Sequence, residues 1–247
     1  MDSTKTSTSI FTLSYWKSAA KEFKSVRILV LTALLIALRV AVKALQIPII
    51  PGFVNFGFGF LVNALGAMTF GPVVAIVAAF ISDLLGTLVT PQLGAYFFPY
   101  AFVEIAGSLI FALMFYKQKL TVSRIFLARF LVILICNLLM TPFIDKLYRV
   151  FILGKDFSLL NMITTVKIFK NLTLFPLESL LLALFLKYII PLVRSIGFKE
   201  IKEPTGIKFT VKNVVLLILL SLIALAGALV FFELNSKEPL FEFMGFV

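Results

Sequence analysis

The chain has 247 residues, of which 61% are hydrophobic and only 14% charged, and its formal net charge is +11. A soluble domain holds about 45–50% apolar and about 25% charged residues, so this composition excludes a water-soluble globular fold. Long apolar runs with few charges predict membrane-spanning helices, because a helix satisfies its own backbone hydrogen bonds in lipid. We therefore expect an all-α integral membrane protein.

The residue content also argues against several functions. The chain has no histidine, the residue that most often acts as a general base, and one cysteine, Cys136. It therefore cannot form a metal site of several cysteine and histidine ligands. We find neither a phosphate-binding G-x-x-x-x-G-K-[ST] loop nor a G-x-S-x-G nucleophile motif. The basic residues cluster between apolar runs, as topology signals do, rather than on one folded face that could bind nucleic acid. The sequence predicts no enzymatic activity, no metal, no cofactor and no nucleic-acid partner.

The apolar runs predict seven membrane spans after a polar N-terminal tail. They are Ile28–Ile47, Val54–Phe70, Pro72–Val89, Phe97–Tyr116, Ile125–Phe143, Leu172–Ile189 and Val214–Phe232. Gly71-Pro72 alone separates the second span from the third, which predicts a tight turn and an antiparallel helix pair. The stretch 144–171 is too polar to span, and we expect a loop with a short interfacial helix there.

Basic residues set the predicted orientation. With the N-terminus inside, fourteen Lys and Arg residues fall in cytoplasmic segments and six in external ones, as the positive-inside rule requires. We therefore expect a multi-pass membrane protein with a cytoplasmic N-terminus.

Ionisable residues inside the spans are the first candidates for a binding site, because a charge in lipid costs several kcal/mol unless it has a partner or faces a cavity. They are Arg39, Lys43, Asp83, Glu104, Arg129 and Glu178. At about 1.5 Å per residue, the predicted topology places all of them except Arg129 in the outer half of the membrane. They are either structural ion pairs or the wall of a pocket open to the outside, in which Arg39 and Lys43, one helical turn apart, suit an anionic ligand.

The external loop 90–100 is rich in aromatic residues, with Tyr96, Phe97 and Tyr100 as candidates. These side chains either form an interfacial aromatic belt or close over a flat heterocycle by stacking.

Small residues mark a second face of the first span. Ala33, Ala37 and Ala41 recur every four positions, and at 100° per residue Arg39 lies 120° to 200° away from them. If the cations face a pocket, the alanine stripe faces outward, where small side chains let another helix approach closely.

Several motifs together resemble a known family. They are FGFLVNALGAMTFGPVV at 58–74, SDLLG at 82–86, GAYF at 94–97, ALLIALR at 33–39, Lys170-Asn171 and Pro176-Leu177-Glu178. This set, spread over residues 27–190, resembles the substrate-specificity (S) subunits of energy-coupling factor (ECF) vitamin transporters, and the folate branch in particular. Two features depart from the pattern: Phe98-Pro99 stands where the aromatic loop usually has proline-glycine, and the seventh span is additional.

The resemblance implies a six-helix bundle that binds its vitamin from outside and passes it to partner subunits for ATP-driven uptake. The partners implied are a membrane coupling subunit, contacted by Ala33, Ala37 and Ala41, and two ATPases reached through it. A folate ligand, with two carboxylates, suits Arg39 and Lys43 and also Lys167 and Lys170.

The corresponding organisation of the chain has five parts. They are a cytoplasmic tail (1–26), the six-helix binding domain (27–190), a basic linker (191–213), an extra transmembrane helix (214–232) and an external tail (233–247). Two alternatives remain open: the same architecture with pantothenate, riboflavin or a queuosine precursor as ligand, and a self-sufficient proton-coupled secondary transporter.

Overall fold

A computed structural model of the chain describes residues 13–21, 25–50, 54–89, 96–154, 165–198 and 201, and six positions between 215 and 226. The chain divides into two compact units. Unit 1 comprises Met1–Lys119 and Ile189–Glu203, and unit 2 comprises Leu120–Tyr188 and Pro204–Val247.

Helices dominate the described residues, which confirms the predicted fold class. The helices are α1 (Leu13–Lys21), α2 (Val26–Ala44), α3 (Gly59–Val89), α4 (Tyr100–Phe115), α5 (Val122–Val132), a π-helical segment (Ile133–Met140), α6 (Thr141–Phe151) and α7 (Thr165–Ser195). By length and hydropathy, three helices of the described chain can cross a membrane: Gly59–Val89, Val122–Phe151 and Lys170–Ser195. The apolar helix α4 is shorter, and α2 is 19 residues long but contains three cations.

Helix α3 consists of two arms, residues 59–70 and 72–89, which meet at Gly71 with φ 79° and ψ 178°. A straight helix would hold Asn63 and Asp83 about 30 Å apart, at 1.5 Å per residue. Instead, Asn63 bonds to Arg39, Asp83 bonds to Lys43, and both cations bond to Glu104. The chain therefore reverses at Gly71, as the Gly71-Pro72 pair predicts, and the two arms count as separate helices.

The conformation of Gly71 has a clear physical cause. Its φ and ψ belong to a region that is essentially restricted to glycine, and the following Pro72 disfavours a helical conformation at position 71. The buried ring of Tyr116 lies against the turn, so that an added Cβ at Gly71 would approach Tyr116 Cζ to 2.8 Å. Tyr15 and Ala19 of α1 pack on Tyr116 in turn, and burial raises the pKa of the Tyr15 hydroxyl to about 12.

A short antiparallel hairpin of β1 (Gln46–Ile50) and β2 (Val54–Gly57) precedes α3. The predictions of a first span reaching Ile47 and a second span starting at Val54 were therefore wrong. Hydropathy alone does not distinguish an apolar strand from an apolar helix, and the β-branched isoleucines and valine here favour the strand.

The helix that begins at Val122 continues to Phe151, eight residues beyond the predicted end at Phe143. It widens into the π-helical segment before Pro142, which has no N–H to donate to the carbonyl four residues earlier. The Thr141 hydroxyl donates to the Cys136 carbonyl at 2.8 Å, which satisfies a carbonyl in the widened segment. The helix therefore extends into the stretch 144–171, for which a loop with a short interfacial helix was predicted. Helix α7 begins at Thr165, earlier than the predicted Leu172.

Counted with the two arms separate, α2, the arms, α4, the helix 122–151 and α7 give six helices in the described part of residues 27–190, as predicted. The predicted seventh span lies largely outside the described residues. Its six described positions, 215, 218, 219, 222, 223 and 226, are helical and exposed. That span, the linker before it and the external tail stay predictions.

Candidate functional site

Four charged side chains of unit 1 form one connected cluster, hereafter the ion-pair network: Arg39, Lys43, Asp83 and Glu104. Glu104 on α4 bridges both cations of α2, with Oε2 at 2.6 Å from Arg39 Nη2 and Oε1 at 3.0 Å from Lys43 Nζ. Lys43 Nζ also lies 3.1 Å from Asp83 Oδ1 on the second arm of α3. The bridging requires both cations on one helix face, which their spacing of one turn provides.

Two uncharged residues complete the surroundings of Arg39. Its Nη1 donates to Asn63 Oδ1 at 3.1 Å and to Ser108 Oγ at 3.2 Å. The Ser108 hydroxyl donates in turn to Asn63 Oδ1 at 2.6 Å. Sequence reasoning missed both residues, although an amide and a hydroxyl within apolar runs are a usable signal, since lipid offers them no partner.

The network is charge-balanced and only partly buried. Its two cations and two carboxylates cancel, as a membrane interior favours. The side chains of Arg39 and Asp83 are buried, with 8% and 7% of their surface exposed. Those of Lys43 and Glu104 are each 31% exposed. Lys43 and Glu104 are therefore the more exposed members of the network.

The aromatic loop reaches the network through Tyr96. Its hydroxyl donates to Asp83 Oδ2 at 3.2 Å. Burial, and next the nearby Asp83 carboxylate, raise the pKa of this hydroxyl, which keeps its proton available for the bond. Phe97 and Tyr100 pack edge to face with ring centroids 6.0 Å apart. Of the predicted aromatic residues, Tyr96 is thus connected to the charges, and the roles of Phe97 and Tyr100 in ligand binding stay predictions.

Unit 2 contains its own buried ion pair. Nε and Nη2 of Arg129 donate to Glu178 Oε2 at 3.0 and 2.6 Å. The contact brings together two side chains that the predicted topology put in the inner and the outer half of the membrane. Their depth stays a prediction. Glu178 lies about 20 Å along α7 from Thr165.

Further polar side chains of α7 and its neighbourhood lie in the same unit. Asn137, in the π-helical segment, donates to Asn171 at 2.7 Å. Lys170 is half-buried. Lys167 lies on α7, but its side chain falls outside the described residues. The participation of Lys167 and Lys170 in ligand binding stays a prediction.

The first span presents two distinct faces. Ala33, Ala37 and Ala41 are exposed, whereas Ile36 and Arg39 are buried against the rest of unit 1. The prediction that the alanine stripe faces away from the cationic face is confirmed. Within the described residues, no group of three or more histidine, cysteine or acidic side chains is placed to hold a metal ion.

The profile of a transporter family matches this chain. It is described as the S component of the ECF-type riboflavin transporter, and it matches residues 23–173.

Curated relatives agree on the transporter class. A folate transporter FolT from Clostridium novyi (strain NT) is 28% identical over 162 residues, covering 64% of this chain and 87% of the relative. A folate transporter FolT from Leuconostoc mesenteroides is 29% identical, and the match covers 60% of this chain and 78% of the relative. A folate transporter FolT from Streptococcus mutans is also 29% identical, and that match covers 49% of this chain and 67% of the relative. A crystal structure of FolT bound with folic acid has a TM-score of 0.53 and 24% identity, covering 63% of this chain and 88% of that one. That structure supports the same all-helical membrane fold.

Proposed function

This chain belongs to the S components of ECF-type transporters, and on that premise we propose that it binds a folate from outside the cell for ATP-driven uptake. Family membership makes it a membrane transporter component rather than an enzyme. The observation that carries the choice of folate is the agreement of three curated relatives, all named folate transporters, at 28–29% identity.

The chemistry of the ion-pair network supports this ligand. A folate carries two carboxylates on its glutamate end and a flat pterin at the other end. Arg39 and Lys43 supply two cations within one helical turn, and the side chain of Lys43 is partly exposed. Charge-assisted hydrogen bonds to carboxylates are among the strongest available to a protein. The rings of Tyr96, Phe97 and Tyr100 are candidates for stacking on the pterin.

Riboflavin is the second candidate, because the matching family profile describes a riboflavin transporter S component. The two ligands differ in charge, since riboflavin has no carboxylate. A site that uses Lys43 for binding should therefore favour folate, whereas a site that binds the flat ring alone should be insensitive to Lys43.

The test is calorimetric titration of the protein, purified in detergent, with folic acid and with riboflavin. We expect folic acid to bind, and Lys43→Gln to weaken that binding by roughly ten- to a hundredfold, the loss of one charge-assisted hydrogen bond. Lys17→Gln, at an exposed position of α1, is the matched control and should bind as the wild type does. Tighter binding of riboflavin than of folic acid would replace the proposal with the second candidate.

Arg39→Ala is expected to weaken binding as well, but it is a less specific probe. It would leave Glu104 without its closest partner and remove the donors to Asn63 and Ser108. A loss of affinity in this variant could then come either from a lost contact with the ligand or from a disturbed network.

The alanine stripe supports the second half of the proposal, docking on partner subunits. Ala33, Ala37 and Ala41 form an exposed row of small side chains on α2, which permits close helix approach in lipid. We propose that this stripe contacts the ECF membrane coupling subunit, and that two ATPases act through it. The excess of basic residues in the predicted inner segments supports a cytoplasmic N-terminus in a bacterial cell membrane.

A further inference from the structure

The cations proposed to bind the ligand already have an anionic partner in this structure. Glu104 contacts both of them at once, Arg39 through Oε2 at 2.6 Å and Lys43 through Oε1 at 3.0 Å. One carboxylate bridging a guanidinium and an ammonium is the arrangement that a carboxylate of the ligand would adopt on the same helix face. In this structure, the carboxylate of Glu104 therefore occupies the position between the two cations, hereafter the anion position.

We propose that the Glu104 carboxylate holds the anion position of the ligand-free protein and that a carboxylate of the ligand replaces it on binding. This inference rests on the proposed function, because it names how that same site is regulated. No covalent step is involved: the ion pairs of Glu104 break, and those of the ligand carboxylate form.

Glu104 is the member of the network best placed to leave. Its side chain is 31% exposed, as is that of Lys43. Asp83, the other carboxylate, is 7% exposed and is held by Tyr96 as well as by Lys43. A displaced Glu104 starts from a partly exposed position, whereas a displaced Asp83 would leave its charge buried.

Arg39 is the member best placed to stay. It is 8% exposed and keeps Asn63 and Ser108 as partners when Glu104 departs. Lys43 likewise keeps Asp83. The two cations thus remain oriented for the incoming carboxylate, and the exchange replaces one anion by another in the same position.

The exchange has consequences for stability and for selectivity. In the empty protein, Glu104 neutralises two cations that would otherwise be costly within a membrane. In binding, it acts as an internal competitor, so a ligand must interact with the cations more strongly than Glu104 does. A neutral ligand cannot displace it, and a dianionic ligand displaces it more readily than a monoanionic one.

The decisive variant is Glu104→Gln, which keeps the shape of the side chain and removes its charge. We expect this variant to bind folic acid about tenfold more tightly than the wild type in calorimetric titration, since the competing anion is gone. In the absence of ligand, its thermal unfolding temperature should be lower than that of the wild type. Asp145→Asn is the matched control, because it removes an equal charge from α6 of unit 2, outside the network, and it should leave folic acid binding unchanged.

A second variant keeps the test valid if Glu104→Gln does not fold. Glu104→Asp retains the charge but is one methylene shorter, so it cannot bridge both cations equally well. Its affinity for folic acid should lie between those of the wild type and the glutamine variant. Unchanged or weaker binding of folic acid by the folded Gln or Asp variant would overturn the exchange. Failure of the wild type to bind folic acid would instead refute the proposed function and, with it, this inference.

Discussion

Replacing Gly71 by alanine tests the turn that brings the two arms of α3 together. The backbone there, at φ 79° and ψ 178°, costs a non-glycine residue about 1–3 kcal/mol. The added methyl group would also lie 2.8–3.0 Å from three ring atoms of Tyr116, which is buried and packed by Tyr15. Overpacking of this kind costs a further 1–3 kcal/mol, approximately. We therefore expect Gly71→Ala to destabilise the protein by about 2–6 kcal/mol.

The measurement is the thermal unfolding temperature of the purified protein in detergent. At about 2–4 °C per kcal/mol for a chain of this size, the unfolding temperature should fall by at least 4 °C or so. Gly59→Ala is the matched control, because an added Cβ at Gly59 meets nothing within 4 Å. That variant should be as stable as the wild type or slightly more stable, since alanine favours a helix over glycine.

A double-mutant cycle separates the two costs. In a Tyr116→Leu background the steric contact with the ring is removed, so Gly71→Ala should cost only the backbone contribution there. An unfolding temperature for Gly71→Ala equal to that of the wild type would refute the reasoning, and with it the requirement for glycine at this reversal.

Three further predictions concern docking, the ion pair of unit 2 and topology. Ala37→Trp should leave folic acid binding to the isolated protein intact but abolish vitamin accumulation in cells, because bulk prevents close helix approach; normal accumulation would exclude a docking role for the stripe. Arg129→Met should destabilise the protein by about 3–5 kcal/mol in thermal unfolding, because Glu178 loses its buried partner. The double variant Arg129→Met with Glu178→Leu should recover most of that stability, and no recovery would contradict this account. A reporter fused after Val247 should lie outside the cell and one inserted near Phe198 inside, and detection on the same side would show that residues 214–232 do not span.

Several features followed from local sequence. The class of membrane protein came from composition, since long apolar runs with few charges predict membrane-spanning helices. The reversal at Gly71-Pro72 came from the conformational limits of those two residues. The outward alanine stripe came from helical periodicity, because the angle between Ala37 and Arg39 is fixed by their spacing on one helix.

Helix boundaries were harder to predict from the sequence. Hydropathy measures the preference of a residue for an apolar environment and not its backbone conformation. The strand Val54–Gly57 was therefore assigned to a membrane span, and Phe143 was taken as the end of a helix that continues to Phe151. The start of α7 was also predicted seven residues too late, at Leu172 instead of Thr165.

Only the tertiary structure decided which charges pair. The sequence identified Arg39, Lys43, Asp83 and Glu104 as charges that need partners, but the pairing depends on the register of three different helices against one another. That register is decided by helix packing, of which the contact of Tyr116 with the Gly71 turn is one part. The packed helices place Glu104 between both cations, for which the sequence left structural ion pairs and an anion-binding pocket open, so that the protein itself neutralises them.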